Sequence, residues 1–202
     1  MQTATYTSLL SLVKGLTGNT TFATAETTLV GEFINRRIYN AYRQYDYWPR
    51  YLVLGEQRAV SDSTIPFTQV TLNSIDTFFR IYDNEPHVTN SVWEYSFVVT
   101  SAGARLLVNT TSATTAYVDY KKRWEGDYNS TTNANVPLEF YHYAAHAAAA
   151  DFLRYDKQTE KAMAEEQYAQ SLLVLEMTNP MNVRNAMNAG VRVRTHASAQ
   201  SR

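Results

Sequence analysis

The chain has 202 residues, of which 45% are hydrophobic and 18% are charged, and this length and composition predict one globular domain or one domain with an insertion. A formal net charge of −1 argues against a surface wholly devoted to nucleic acid, because such binding depends on neutralising phosphates. The absence of cysteine excludes disulfides, thiolate catalysis and cysteine-ligated zinc. The longest apolar run, Ala144 to Ala150, is too short for a bilayer, and no signal peptide is recognisable. We therefore expect no membrane partner and assembly in the cytosol.

The charge is distributed unevenly along the chain. No acidic residue follows Glu176, whereas four arginines do, so the total of −1 divides into −5 for residues 1–176 and +4 for residues 177–202. The end of the chain also shows no sustained periodicity. These features predict an extended C-terminal arm over residues 179–202, without a core of its own.

Two amphipathic helices are predicted at the N-terminus. Thr3 to Leu16 carries apolar residues at spacings of three and four, and Gly18 ends this pattern. The second helix is predicted to begin with Thr24 as its N-cap and Glu26 in its first turn, and to continue to about Asp46. Together these helices form the first part, residues 1–49, of a predicted helical bundle.

Pro49 marks a change in pattern, because the residue before a proline is pushed out of helical geometry. Residues 50–136 are rich in Val, Ile, Thr, Phe and Tyr between turn-forming residues, which predicts an antiparallel sheet or small barrel inserted between helices. The alternation is clearest from Thr115 to Tyr120. The predicted strands are Tyr51 to Val60, Thr64 to Val70, Thr77 to Tyr82, Trp93 to Thr100, Ala104 to Val108 and Thr115 to Trp124.

The second part of the bundle is predicted over residues 137–178. Pro137 suits a first helical turn, and the third helix runs from Leu138 to about Tyr155. Six alanines between Ala144 and Ala150 allow a neighbouring helix to approach closely. A fourth helix follows from about Thr159 to Met177, with Ala162, Ala169, Leu172 and Leu173 as its buried face. The predicted class is α+β: a helical bundle, an inserted antiparallel β region and an extended C-terminal tail.

The best candidate for a metal site is Glu139 with His142 and His146, because these spacings share one helical face. A zinc protease needs a glutamate directly after the first histidine, where Tyr143 stands, and a di-iron bundle needs a second Glu-x-x-His, which is missing. We therefore expect no metal here, and histidines hydrogen-bonded to backbone or carboxylate. A small metal-dependent enzyme built on these residues is the alternative.

Other signatures of enzymes are missing from the sequence. It contains no G-x-S-x-G elbow and no phosphate-binding loop, and it has only seven glycines. The adjacent acids Glu165 and Glu166 are interpreted as solvated charge on a polar helix face. We expect neither catalytic activity nor a cofactor.

Aromatic residues concentrate where the second helix meets the β region. Tyrosine and tryptophan can pack on one side and form hydrogen bonds on the other, so Tyr47 and Trp48 are predicted to lie at a core junction or a subunit interface. Nearby arginines would either pair with acids of a neighbouring subunit or accompany aromatic rings that stack on sugar or bases. The aromatic cluster is Tyr39, Tyr42, Tyr45, Tyr47, Trp48 and Tyr51, and the arginines are Arg36, Arg37, Arg43 and Arg50.

This order of elements resembles a known family. Two N-terminal helices, the second ending in an aromatic-Trp-Pro signature within Asn35 to Pro49, precede an inserted β region, an alanine-rich helix pair and a loose tail. Over nearly the whole chain this arrangement is similar to the head-to-tail adaptor proteins of tailed bacteriophages.

The resemblance implies a homo-oligomeric ring, a dodecamer, in the neck of the virion, which binds beneath the portal protein and passes DNA without reading its sequence. The bundle would form the ring, the β region would face the tail or nozzle protein, and the arm would extend along the portal. The arm residues expected to bind the portal are Arg184, Val191, Arg192, Val193 and Arg194. The alternative in the same class is another neck or tail component, such as a tail-completion or tail-terminator protein.

Overall fold

The structure, a computed structural model, describes residues 2–68, 73–84, 92–100, 103–109 and 114–179. These residues form four helices and eight strands in three small antiparallel sheets, so the predicted α+β class is confirmed. The chain divides into two compact units. The helical unit comprises Met1–Leu52 and Lys122–Asn179, and the β unit contains Val53–Lys121.

Helix α1 spans Tyr6–Thr17 and begins three residues later than predicted. The reason is Thr5, whose side chain accepts a hydrogen bond from the backbone N–H of Ser8 (3.1 Å) and caps the helix. Gly18 ends α1 in the left-handed region at φ 75°, a conformation that glycine adopts without strain.

Helix α2 spans Thr24–Gln44, and Thr24 is its first helical residue rather than its N-cap. The N-cap is Ala23, and the prediction for Thr24 was wrong because the carboxylate of Glu26 supplies the cap. Its Oε2 accepts the backbone N–H of Ala23 at 2.8 Å. At the other end, the indole N–H of Trp48 donates to the carbonyl of Ala41 (2.9 Å), which satisfies one of the last free carbonyls of the helix.

Helices α3, Leu138–Tyr155, and α4, Thr159–Met177, have the predicted bounds. Helix α3 is the centre of the unit, with α1, α2 and α4 packed against it. All six of its central alanines are fully buried, because a methyl side chain lets neighbouring helices come close.

Two short strands were missing from the sequence prediction. Strand β1, Thr3–Thr5, pairs antiparallel with β8, Asn135–Pro137. Pro137 therefore ends a strand and caps α3, and it does not lie in the first helical turn. Three-residue strands carry too few residues to show a period.

The β unit contains two three-stranded sheets, ordered β2-β7-β4 and β3-β6-β5. Its core is made of Val, Ile, Phe, Leu and Tyr side chains such as Ile65, Ile81 and Leu106. These three residues lie within predicted strands. Strand β4 begins at the buried Ile75, two residues before the predicted Thr77, and β3 ends three residues before the predicted Val70. Residues 69–72 lie outside the described part. The strands are β2 Leu52–Ala59, β3 Thr64–Phe67, β4 Ile75–Tyr82, β5 Tyr95–Thr100, β6 Gly103–Val108 and β7 Thr115–Lys122.

The boundary between the regions differs from the predicted one, because residues 122–136 lie with the helices instead of within a β region 50–136. Tyr128 binds residues 122–136 to the helical unit. Its backbone N–H donates to the side chain of Asn35 at 2.7 Å, its carbonyl accepts from the same amide at 3.0 Å, and its ring is 1% exposed. No helix of the described chain has the length and hydropathy needed to cross a membrane.

Candidate functional site

Helix α4 buries one face against the unit and exposes the other. The buried face contains Ala162, Ala169 and Leu173, while Leu172 of the predicted face is half-buried. The opposite face, here called the outer face of α4, consists of Met163, Ala164, Gln167, Tyr168, Gln170, Ser171, Val174 and Leu175.

Between Met163 and Leu175 the outer face of α4 carries no charge, and the exposed charges of Glu160 and Lys161 lie before it in the first turn of the helix. Its four large side chains, Met163, Tyr168, Val174 and Leu175, are between 53% and 64% exposed. A helix on a protein surface normally carries charged residues on its solvent side. Loss of charge together with exposed methionine and aromatic residues is typical of the centre of a protein–protein interface. This face is therefore the candidate functional surface of the helical unit.

The two charged residues of α4 between Met163 and Leu175, Glu165 and Glu166, point to the other helices instead. Glu165 Oε2 lies 2.5 Å from the Nδ1 of His146 on α3. Glu166 pairs with Arg37 of α2 and Arg154 of α3. The interpretation of Glu165 and Glu166 as solvated charge was wrong, because both lie on the side of α4 that meets its neighbours.

Arg37 connects three helices through hydrogen bonds with two carboxylates. It binds Asp151 through Nε (2.8 Å) and Nη2 (2.7 Å), and it binds Glu166 through Nη1 (3.0 Å) and Nη2 (2.7 Å). Arg36 adds a bond to Asp151 at 2.9 Å. Both arginines thus pair with acids of their own chain.

The carboxylates of this cluster are ionised because of their partners. Burial raises the pKa of Asp151, but hydrogen bonds from Arg37 and Arg36 outweigh it and leave this pKa below its usual range. Burial also raises the pKa of Glu166, and bonds from Gln170 and Arg37 more than reverse that effect. The cluster holds α4 to α2 and α3, so the outer face of α4 has a fixed orientation in the helical unit.

The aromatic cluster forms part of the core of the helical unit. Trp48 and Tyr51 are fully buried, and the Trp48 ring meets Phe140 edge to face at 4.8 Å between centroids. Tyr47 is half-buried and packs on Tyr45 at 5.7 Å. Trp48 therefore lies at a core junction. Arg50, next to this cluster, pairs with Glu125 at 3.2 Å.

The three residues of the metal hypothesis have separate surroundings. His146 bonds to Glu165, and His142 is exposed. Oε1 of Glu139 is buried with no hydrogen-bond partner in the described chain, and burial raises the pKa of this carboxyl. Among the described residues, no group of three or more histidine and acidic side chains is arranged to hold a metal ion.

The arm residues Arg184, Val191, Arg192, Val193 and Arg194 lie outside the described residues. No family model matches the chain, and no curated protein matches its sequence. The outer face of α4 was not predicted from the sequence, although the sequence contains a pattern that indicates it. Nine consecutive residues, 167–175, carry no charge in a helix that begins with several.

Proposed function

We propose that the chain is a non-enzymatic structural subunit, a head-to-tail adaptor that assembles into a ring between the portal and the tail of a tailed bacteriophage. The observation that carries this proposal is the uncharged outer face of α4. A subunit that acts only as part of a ring has to bury such a face against a neighbour.

The size of this face supports the proposal. At 1.5 Å per residue, the 19 residues of α4 extend roughly 28 Å, the scale of one side of a small domain. Large exposed side chains follow its outer side from Met163 near the start to Leu175 near the end. Large exposed apolar side chains gathered on one surface, unlike ones scattered singly, mark an interaction site on a protein.

The order of elements along the chain gives a second line of support. Two helices precede the β unit, an alanine-rich helix pair follows it, and an arm with four arginines and no acidic residue comes last. In this proposal the helical unit forms the ring, the arm docks on the portal and the β unit meets the tail.

The first experiment examines the full-length protein by negative-stain electron microscopy and by sedimentation velocity. We expect closed rings with a central channel and one dominant stoichiometry. A protein that sediments as a monomer at tens of micromolar, a concentration well above ordinary dissociation constants of stable assemblies, would overturn the proposal.

The second experiment separates an adaptor from another neck or tail component. Portal rings are co-sedimented with the full-length chain, with residues 1–179 alone, and with a variant carrying Arg184→Gln, Arg192→Gln and Arg194→Gln. We expect binding that weakens in both variants and that falls with added salt, since the Debye length is about 8 Å at physiological ionic strength. The matched control carries Arg105→Gln, Lys122→Gln and Arg123→Gln, which remove the same charge from exposed positions. Rings that bind no portal would identify a different neck component.

A further inference from the structure

We propose that strand β5, Tyr95–Thr100, is a docking edge of the β unit, and that an extended segment of a partner protein pairs with it as an added strand. The segment carries apolar side chains at alternate positions and a basic side chain near the start of β5. This contact rests on the proposed function, in which the partner of the β unit is the tail protein.

Strand β5 lies at the edge of its sheet. The order of that sheet is β3-β6-β5, so β5 pairs on one side only. The chain does touch β4 shortly before β5 begins, through a bridge between Tyr82 and Val92 and a bond from the N–H of Trp93 to the carbonyl of Ile81 (2.9 Å). From Tyr95 onward, no described strand pairs with the second side of β5.

The register of β5 against β6 shows which backbone groups face this open side. In an antiparallel ladder, hydrogen-bonded pairs alternate with pairs that are not bonded. The N–H of Asn109 donates to the carbonyl of Glu94 at 3.4 Å, so this pair is a bonded one and Ser96 belongs to the next. Tyr95 and Phe97 lie between the bonded pairs. Their N–H and C=O groups therefore point away from β6, where an extended chain can bind them.

The other three edges of the two sheets carry residues that hinder the addition of a strand. Charged side chains and proline are the usual protection of a sheet edge. Strand β5 has the sequence Tyr-Ser-Phe-Val-Val-Thr and contains neither. The protecting residues are Glu56 and Arg58 on β2, Asp76 and Arg80 on β4, and Pro66 on β3.

The core of the β unit is incomplete beside β5. Phe97 is 44% exposed, whereas Leu106, directly opposite on β6, is fully buried. Tyr95 is likewise exposed opposite the buried Val108. Side chains directly opposite each other lie on the same face of a sheet, so both aromatic residues face the core side without a cover. Apolar side chains of an added strand would lie next to them and complete this core.

The other face of the sheet supplies the charge that selects the partner. A groove of about 410 Å³ lies there, lined by the exposed Leu107, by Asn109 and by Glu94. The exposed carboxylate of Glu94 has no partner among the described residues. A long basic side chain can place its stem on Leu107 and its charge at Glu94. Strand β5 contains no basic residue, so a second copy of β5 would leave this carboxylate unpaired.

Disulfide capture tests the contact in the full-length protein, which has no cysteine of its own. The variant Ser96→Cys is equilibrated in a glutathione buffer with the peptide acetyl-Gly-Thr-Val-Cys-Val-Arg-Gly-amide. Antiparallel pairing places the peptide cysteine opposite position 96, at a Cα separation that a disulfide can span, and its arginine opposite Glu94. We expect about tenfold more captured peptide, measured by mass spectrometry, than with Thr28→Cys, a matched exposed position on α2.

Two changes separate the contribution of the backbone from that of the charge. N-methylation of both peptide valines removes the N–H groups that would face Tyr95 and Phe97, so capture should fall to the level of Thr28→Cys. Glu94→Gln, added to the capture variant, should lower capture about two- to fivefold, the usual worth of an opposite-charge pair across two strands. Asp76→Asn, at an exposed position of β4, is the matched control and should leave capture unchanged.

Three results would overturn the contact. Equal capture at positions 96 and 28 would show that β5 receives no strand, and rings seen by microscopy would then leave the proposed function standing. Capture that survives N-methylation would mean that the peptide does not pair with the backbone.

The third result concerns the arm of the chain itself, which alternates valine and arginine from Val191 to Arg194. Capture that appears only after Val191→Asp and Val193→Asp would assign the edge of β5 to this arm instead of a partner. Capture by a protein that stays monomeric would support the docking edge and remove the proposed ring alone.

Discussion

Helices α2 and α4 pack against the same central helix but present opposite surfaces to solvent. On α2, Glu32, Arg36 and Arg43 are exposed along the helix, whereas the outer face of α4 carries no charge between Met163 and Leu175. Their inner sides are alike, since each buries a stripe of apolar residues against the unit. Packing of the single chain thus accounts for both inner sides and for the outer side of α2. It gives no reason for the outer face of α4, which the proposed ring would bury against a partner.

The largest expected effect comes from breaking the link between the two helices. Arg37→Met removes the more buried of the two arginines that Asp151 and Glu166 share, and leaves these carboxylates, only 9% and 21% exposed, with the 42% exposed Arg154 as their shared cation. We expect the free energy of unfolding of the helical unit to fall by about 3 kcal/mol, measured by urea denaturation. Arg36→Met is the control, because Arg36 is 57% exposed and its loss should cost less than about 1 kcal/mol. Equal losses in both variants would show that Arg37 has no special role.

A second test acts on α3, which both helices share. Ala148→Leu adds three carbons at a fully buried position between close-packed helices. Overpacking of this kind costs roughly 1–3 kcal/mol, so the midpoint of thermal unfolding should fall. Ala164→Leu, on the exposed outer face of α4, is the matched control and should leave the stability of the subunit unchanged. An unchanged midpoint for Ala148→Leu would mean that the alanine face has spare room.

The pH dependence of the free energy of unfolding tests the same ion pairs, with a smaller expected effect. Both Asp151 and Glu166 have a lowered pKa in the folded chain. Their contribution is therefore fully present above the unfolded values, about 3.9 and 4.3, and is lost as the pH falls through the lower folded values. The difference in stability between the wild type and Arg37→Met should shrink below about pH 4. A difference that stays constant from pH 7 to pH 3 would contradict the assignment.

Much of the helical unit follows from patterns along the sequence. The bounds of α3 and α4 were predicted correctly because apolar spacing, Pro137 and Asn179-Pro180 mark them locally. The N-cap of α2 was not predicted correctly, because the group that stabilises this helix start is the Glu26 side chain, three residues after Ala23.

The candidate site was harder to predict than the fold. Glu165 and Glu166 are adjacent in sequence, and nothing local tells that their partners, His146 and Arg37, come from two other helices. Only those distant partners show that the charges of Glu165 and Glu166 point inward. The absence of charge on its outer face becomes visible once the inward side is known.

The central claim is that the outer face of α4 is buried against another copy, and two matched lysine substitutions test it most directly. Ser171→Lys places a charge in the middle of that face, and Thr28→Lys places one on the charged face of α2. Both residues are exposed and both hydroxyls bond to a backbone carbonyl of their own helix, so each change should alter subunit stability by less than about 0.5 kcal/mol. Sedimentation velocity of the full-length variants at equal concentration should show rings for Thr28→Lys and monomers for Ser171→Lys. Rings of the same size in both would contradict the account.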